Sequence, residues 1–115
     1  MSWTHAERHC LSLGGNLASV HDSAVSRFLQ EKISGSLAWT GGYDAVQANI
    51  ETVENRLWFW SDGSVFDYQN WADGEPNNFN GVREPCILMN FGEGHRWNDE
   101  VCEHSFPFVC SMKLK

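Results

Sequence analysis

Apolar residues recur at helical spacing only in the first third of the chain, where they predict two helices. In the first, Ala6, Cys10 and Leu13 fall on one face. Thr4 and Glu7 form the T-x-x-E pattern of a capping box, which predicts that this helix starts there. The pair Gly14-Gly15 is expected to end it.

The second helix is predicted to begin at Asp22 or Ser23 and to end at Gly35, because an N-capping side chain precedes the apolar pattern and a glycine follows it. Its apolar positions again follow the helical period. They are expected to form a buried stripe of Val25, Phe28, Leu29 and Ile33.

The rest of the chain shows short apolar runs bounded by turn residues, which predict strands. These runs are 37–40, stopped by Gly41-Gly42, then 57–60, closed by Asp62-Gly63, and finally 86–90, 96–98 and 106–112. Helices first and strands later predict an α+β fold, and 115 residues predict one domain over 1–115.

Residues 65–85 are dominated by Asp, Asn, Gly and Pro and predict a long irregular segment. A segment of this length without its own secondary structure is usually functional or disordered. Aromatic side chains interrupt it and can pack beneath it, which favours an ordered, functional loop: Phe66, Tyr68, Trp71 and Phe79.

The charge balance narrows the classes of partner. Lys and Arg number 8 against 15 Asp and Glu, so the formal charge is −7. A nucleic-acid binder or a protein bound to an anionic membrane would need a basic patch, so neither partner is expected. Membrane insertion is not expected either, because no apolar run approaches the ~18 residues of a spanning helix.

The four cysteines, Cys10, Cys86, Cys102 and Cys110, favour disulfides over a zinc site because no C-x2-C pair occurs. Four cysteines allow three connectivities. A bond between the first and last would close nearly the whole chain and contribute on the order of 4–5 kcal/mol. Disulfides imply a secreted or extracellular protein. The first residues are too polar for a signal peptide, so a mature form or an excised domain is expected.

Side chains ending in oxygen gather around the irregular segment and suit a hard cation such as Ca²⁺. They are Glu75, Asn77, Glu84, Asn98 and Asp99. The three carboxylates and two neutral amides would nearly balance a doubly charged ion. The alternative is that they are ordinary loop residues of an acidic protein.

Eight motifs occur in order along the chain, and together they resemble the C-type lectin-like domain. They are LGGNLASVH at 13–21, WTGG at 39–42, FWSDGS at 59–64, NW at 70–71, EPN at 75–77, E-x-C at 84–86, WND at 97–99 and FPFVC at 106–110. The resemblance covers nearly the full length of the chain.

The resemblance implies a fold of two helices packed on small antiparallel sheets, with a long calcium-binding loop region outside. It implies the disulfides Cys10–Cys110 and Cys86–Cys102. The family's N-terminal strand is absent or trimmed here, which is expected to leave its partner near the C terminus unpaired. Four tryptophans are expected to be core or loop-anchoring residues: Trp39, Trp60, Trp71 and Trp97.

The resemblance also implies a binding mechanism. Ca²⁺ is held by the EPN, E-x-C and WND elements, here Glu75, Asn77, Glu84, Asn98 and Asp99. Two vicinal sugar hydroxyls complete its shell and bond to Glu75, Asn77, Glu84 and Asn98, with Phe79 beside the sugar. In this family EPN goes with mannose-, fucose- or glucose-type sugars and QPD with galactose, and Pro76 is expected to follow a cis peptide bond.

Mannose-type glycans on glycoproteins or microbial surfaces are therefore the expected partners, with oligomers supplying avidity to weak single sites. Two alternatives stay open. The motifs also look like fish members of the family that are type II antifreeze proteins, and many members use the fold as a protein-binding scaffold. An enzyme is not expected, because no serine lies in a nucleophile elbow and the loop is too polar for a carboxylic acid catalyst.

Overall fold

The computed structural model describes residues 1–33, 35–44, 57–76, 84–92 and 94–112. Its two helices lie where the sequence predicts them, at Trp3–Ser12 (α1) and Ser23–Lys32 (α2). Asp22 caps α2 as expected, since its Oδ1 accepts a hydrogen bond of 2.8 Å from the backbone N–H of Val25. In the part of the chain that is described, neither helix is long and apolar enough to cross a membrane.

The predicted capping box of α1 is wrong. The N-cap is Ser2, whose Oγ accepts a hydrogen bond from the backbone N–H of His5. Thr4 lies inside the helix, and the carboxylate of Glu7 reaches β1 instead, where it accepts a 2.8 Å hydrogen bond from the N–H of Leu17. There the Glu7 carboxylate accepts hydrogen bonds from three donors, two in β1 and one on Ser61, instead of capping its own helix.

Within the described residues, six strands form two antiparallel sheets. They are Gly15–Leu17 (β1), Ala38–Asp44 (β2), Trp58–Trp60 (β3), Cys86–Phe91 (β4), Arg96–Glu100 (β5) and Cys110–Met112 (β6). β1 pairs with β6, and the larger sheet has the order β3-β2-β4-β5. The chain is therefore an α+β fold, as predicted.

Two strand predictions are corrected. The sequence suggested only a helix stop at Gly15, yet β1 begins there and pairs with β6, so the C-terminal strand is not left without a partner. β2 does not stop at Gly41-Gly42 but runs on to Asp44. Both glycines are needed because a Cβ on Gly42 would overlap the side chain of Ile87, and one on Gly41 would lie 2.8 Å from the carbonyl oxygen of Leu17.

The core consists of two clusters. One joins α2 to the larger sheet and contains Ala18, Val20, Leu29, Ala38, Trp60, Ile87, Met89 and Trp97. The other lies under α1 and contains Ala6, Cys10, Leu17, Trp39, Cys86 and Leu88. Three tryptophans are thus buried core residues, as expected, while Trp71 packs against the first cluster from the irregular segment.

The predicted helix stripes are only partly buried. Leu13 is 56% exposed because it caps the end of α1 rather than facing the sheet. On α2 only Leu29 is buried, whereas Phe28 is 59% exposed and lies 5.9 Å below the Lys32 ammonium. The ten-residue helix α2 buries only one narrow row of side chains. The remaining apolar positions of its predicted stripe lie outside that row.

The disulfides are Cys10–Cys110 and Cys86–Cys102, the pairing that the motifs implied. The first ties α1 to β6, and the second ties the start of β4 to the segment after β5. The second therefore fixes both strands that carry candidate site residues.

Candidate functional site

The irregular segment after β3 is pinned to the sheet by aromatic side chains. Phe66, Tyr68 and Trp71 pack against the core cluster around Trp97. The Trp71 ring lies 5.6 Å from that of Trp97 and 5.0 Å from that of Trp58. The sequence predicted that aromatic side chains pack beneath this segment, and Phe66, Tyr68 and Trp71 do so, whereas Phe79 lies outside the described residues.

Backbone hydrogen bonds then lay residues 70–72 alongside β5. The N–H of Trp97 donates to the carbonyl of Asn70, and the N–H of Ala72 donates to the carbonyl of Trp97, both at 2.8 Å. We call residues 70–75 the strap. Its end is a tight turn in which the N–H of Glu75 donates to the carbonyl of Ala72 and Gly74 adopts a φ of +79°. The strap thereby carries Glu75 to the edge of β5.

The peptide bond between Glu75 and Pro76 is cis, as the resemblance implied. Asn77 and Phe79, two of the residues assigned to calcium or sugar, lie outside the described residues, so their assignments stay predictions.

The opposite wall comes from the ends of two paired strands. Glu84 is buried just before β4, and Pro85 accepts a 2.8 Å hydrogen bond from the N–H of Asp44. Asn98 and Asp99 are buried on β5, where they pair with Leu88 and Ile87 of β4. Asn98 and Asp99 follow Glu84 by 14 and 15 positions in the sequence. Strand pairing therefore brings them to the same end of the sheet as Glu84.

The Glu75 carboxyl is hydrogen-bonded to that of Asp99 and is affected by the charge of Glu84. Burial, a hydrogen bond with the Asp99 carboxyl and the Asp99 charge raise the pKa of Glu75 to about 8, and the charge of Glu84 adds to the rise. Repulsion among carboxylates makes the ionised form costly unless a cation balances it. Such a set favours a bound cation at neutral pH.

The side-chain oxygen of Asn98 is a second, independent observation that points to a bound ligand. Its Nδ2 donates a 3.0 Å hydrogen bond to the carbonyl of Asp99, but its Oδ1 is buried and has no hydrogen-bond partner among the described residues. A buried acceptor without a partner costs roughly 1–3 kcal/mol. A cation beside Asn98 would satisfy it.

The residues present fit Ca²⁺, since the donor set consists of carboxylate and amide oxygens. Within the described ranges, no three acidic, histidine or cysteine side chains are grouped tightly enough to hold a metal without other ligands. The buried Oδ1 of Asn98 is a further oxygen that could contribute to such a set, and Asn77 is a further predicted ligand.

A polar network that the sequence did not predict holds the segment before the strap. The His21 Nδ1 lies 2.7 Å from Asp67 Oδ1, and its Nε2 lies 2.9 Å from Ser64 Oγ. Ser19 Oγ donates a 2.6 Å hydrogen bond to Asp62. These partners are 43–46 positions apart, so no local pattern could have paired them.

Comparison with known proteins places the chain beside lectins and antifreeze proteins. The family model described as "Lectin C-type domain" matches residues 1–112. The chain is 59% identical to ladderlectin of Oncorhynchus mykiss over 92% of this chain and 54% of that protein, so it spans about half of that relative's length. It is 38% identical to the galactose-specific lectin nattectin of Thalassophryne nattereri, over 99% and 69% of the two chains.

Among solved structures, herring type II antifreeze protein superposes with a TM-score of 0.82 at 33% identity, covering 100% of this chain and 85% of that one. The names of these relatives describe lectins and an antifreeze protein, and none of the three indicates a catalytic family.

Proposed function

Because the chain belongs to the C-type lectin domain family, we propose that it binds carbohydrates through a calcium ion held at the strap and the ends of β4 and β5. The observation that carries the proposal is the buried Asn98 Oδ1, which has no hydrogen-bond partner among the described residues. The next residue, Asp99, has a carboxyl group that is hydrogen-bonded to that of Glu75. The proposed ligands are Glu75, Asn77, Glu84, Asn98 and Asp99.

When bound, calcium supplies coordination positions for two vicinal hydroxyl groups of a sugar. The protein's own groups select the sugar. The carboxylates of Glu75 and Glu84 accept hydrogen bonds from the hydroxyl groups, and the amide of Asn98 donates to them. In this proposal Asn77 acts like Asn98, and Phe79 contacts the sugar face.

The EPN motif favours mannose-, fucose- and glucose-type sugars, as the family resemblance implies. Asp99 takes part in holding the ion, so it belongs to the metal site rather than to the sugar contacts. Single sites of this kind bind weakly, with a dissociation constant in the millimolar range, or about −4 kcal/mol. Oligomers would then raise the avidity for mannose-type glycans on glycoproteins or microbial surfaces.

We further propose a secreted or extracellular location and a single domain over 1–115. The two disulfides support the location, because such bonds persist in oxidising compartments.

The proposal is tested by retention on mannose-agarose. Protein applied in calcium buffer should be retained and should elute with a chelator, and retention on galactose-agarose should be weaker. The Asp99→Asn variant should pass through, because one ionic ligand is lost. Glu31→Gln, which changes an exposed acid on α2, is the matched control and should be retained.

Calcium should also stabilise the protein, by about 2.7 kcal/mol when its concentration is a hundredfold above its Kd. The Asp99→Asn variant should lose most of this gain in thermal unfolding. Retention in the presence of chelator, or retention of Asp99→Asn equal to that of the unmodified protein, would exclude this site.

Ice binding is the second candidate, favoured by the close superposition on herring type II antifreeze protein. Thermal hysteresis measured on the sample used for the sugar columns separates the two functions. Hysteresis without sugar retention would favour ice binding, and retention without hysteresis would favour the lectin.

A further inference from the structure

The chain contains two Asp-Gly pairs, and the structure places them in different surroundings. They are Asp62-Gly63, just after β3, and Asp73-Gly74, in the turn that ends the strap. An aspartate followed by glycine is the sequence most prone to spontaneous isomerisation, because glycine has no side chain to hinder attack by its own backbone nitrogen. The fold decides which of the two pairs is free to react.

The reaction needs only water as a co-reactant. The backbone nitrogen of the glycine attacks the side-chain Cγ of the aspartate, and a C–N bond forms. The amide proton and the carboxyl OH leave as water, so that a five-membered succinimide results. Water then opens this ring. Opening at the backbone carbonyl gives isoaspartate, in which the main chain runs through the side-chain methylene group and the mass of the protein is unchanged.

The pair Asp62-Gly63 is held against this reaction. Asp62 is only partly exposed, and its carboxylate accepts hydrogen bonds from the hydroxyl group of Ser19 and from the hydroxyl group and backbone N–H of Ser64. The N–H of Gly63 donates to the carbonyl of Trp60 at 3.1 Å. Both reacting groups are therefore engaged elsewhere, and hydrogen bonds must break before the nitrogen reaches Cγ.

The pair Asp73-Gly74 is much less restrained. The Asp73 side chain is fully exposed, and its contact with Arg96, at 3.9 Å, is a weak surface ion pair. Within the described part of the chain, the N–H of Gly74 donates no hydrogen bond. Gly74 resembles Gly63 in its positive φ, +79° against +81°, and in the open space where a Cβ would lie. The two pairs therefore differ at the carboxylate and the amide, not at the conformation of the glycine.

Isomerisation at Asp73 would change the turn that carries Glu75. The turn closes through the 3.0 Å hydrogen bond from the N–H of Glu75 to the carbonyl of Ala72. Isoaspartate inserts one more carbon atom into the main chain inside this ring, which lengthens the chain by about 1.5 Å. Oxygen ligands of Ca²⁺ lie at roughly 2.3–2.6 Å, so a shift of this size would take the Glu75 carboxylate out of coordination.

We propose that Asp73-Gly74 is a site of spontaneous isomerisation, and that its conversion to isoaspartate inactivates the neighbouring calcium site as the protein ages. The modification itself rests on the exposure and hydrogen bonding of the pair. The loss of calcium binding rests in addition on the proposed function, because it requires Glu75 to be a calcium ligand. Aged protein then loses its calcium-dependent stabilisation while its core stays folded.

Peptide mapping of protein incubated for several weeks at neutral pH and physiological temperature tests the modification. Electron-transfer fragmentation distinguishes isoaspartate from aspartate at each position, so Asp62 is the control within the same chain. Isoaspartate should form at Asp73 at least about tenfold faster than at Asp62, because a hydrogen bond to a charged group must first break at Asp62. In urea, where both pairs are solvated, the two rates should become similar.

The Asp73→Glu variant tests the consequence, because glutamate keeps the charge but would have to close a less favourable six-membered ring. Thermal unfolding is compared in calcium and in chelator. Aged unmodified protein should lose calcium stabilisation in proportion to its isoaspartate content, whereas aged Asp73→Glu should keep it. The variant still contains Asn80-Gly81, which lies outside the described residues and can deamidate, so a loss caused by that pair would occur in both proteins.

The outcomes separate the modification, its effect and the proposed function. Equal rates at Asp73 and Asp62 in the folded protein, or no isoaspartate at Asp73 while the unfolded chain forms it, would overturn the modification site. Isoaspartate at Asp73 with full calcium stabilisation, or equal loss in Asp73→Glu, would overturn the effect on the calcium site. If fresh protein gains no stability from calcium, the proposed function fails and this effect falls with it, whereas the isomerisation rates still decide the modification.

Discussion

At the scale of single residues, the pKa values of two acidic side chains are shifted in opposite directions. One of them, Asp62, precedes the irregular segment, and the other, Glu75, lies within it. Glu75 lies beside other carboxyl groups, which together with burial raise its pKa to about 8. Burial would also raise the pKa of Asp62, but hydrogen bonds from Ser19 and Ser64 and the charge of His21 outweigh burial and lower it. Donated hydrogen bonds therefore favour the ionised form of Asp62, whereas burial and neighbouring carboxyl groups disfavour the ionised form of Glu75.

The lowered pKa of Asp62 predicts a pH-dependent contribution to stability. A carboxyl whose folded-state pKa lies below its ordinary value stabilises the fold above that value, here 3.8, and loses the effect as the pH falls through the folded-state pKa. Asp62→Asn should therefore lower the free energy of unfolding at neutral pH by about 1 kcal/mol, a modest value because the side chain is only half-buried.

Urea unfolding of both proteins between pH 7 and pH 2 checks this prediction, with Asp73→Asn as the control for loss of one surface charge. The difference between Asp62→Asn and the unmodified protein should shrink toward zero at the acidic end. A difference that stays constant over the whole range would contradict the assignment.

At the scale of elements, β2 contains two adjacent glycines at which the sequence pattern predicted that the strand would end. Gly41 and Gly42 lie within the strand, between β3 on one side and β4 on the other. The absent side chains let Leu17 and Ile87 approach the backbone closely. Here tertiary packing overrides the ordinary tendency of Gly-Gly to end a strand.

Gly42→Ala should consequently destabilise the fold by roughly 1–3 kcal/mol, because the added methyl group would overlap Ile87 in the core. Gly94→Ala is the matched control. Its added methyl group would make ordinary contacts with Arg96, so a change within about 0.5 kcal/mol is expected. Chemical denaturation of the two variants compares them, and equal stability of both would refute the packing explanation for Gly42.

At the scale of the whole molecule, two disulfides constrain chain segments of very different length. Cys10 and Cys110 are 100 positions apart, whereas Cys86 and Cys102 are 16 apart. Closing a longer loop removes more entropy from the unfolded chain, by about 4.7 kcal/mol for 100 residues and about 3 kcal/mol for 15. The long-range bond secures the global fold, and the shorter one secures the strands at the proposed site.

Replacing each pair by serine should separate these roles. The Cys10→Ser/Cys110→Ser variant should lose more stability in urea unfolding than the Cys86→Ser/Cys102→Ser variant. The second should lose proportionately more of its calcium-dependent stabilisation, because Glu84 and Asp99 are then held less firmly. Equal loss of calcium stabilisation in both variants would contradict the local role.

The sequence alone determined the order of the two helices and of five of the six described strands, and through the family motifs it implied the disulfide partners and the proposed ligand set. These follow from local signals: helical spacing, the Asp22 cap, the family motifs and the cis bond before Pro76. Each depends on a few neighbouring residues or on a motif, so it can be read before the chain is folded.

The tertiary structure decided what depends on distant partners. Only the fold shows that Glu7 serves β1 rather than its own helix, and that Phe28 stays exposed. Only the fold leaves Asn98 Oδ1 buried and without a hydrogen-bond partner among the residues that the structure describes. Hydrogen bonding and burial are set by groups far apart in sequence, and no local pattern encodes which of them meet.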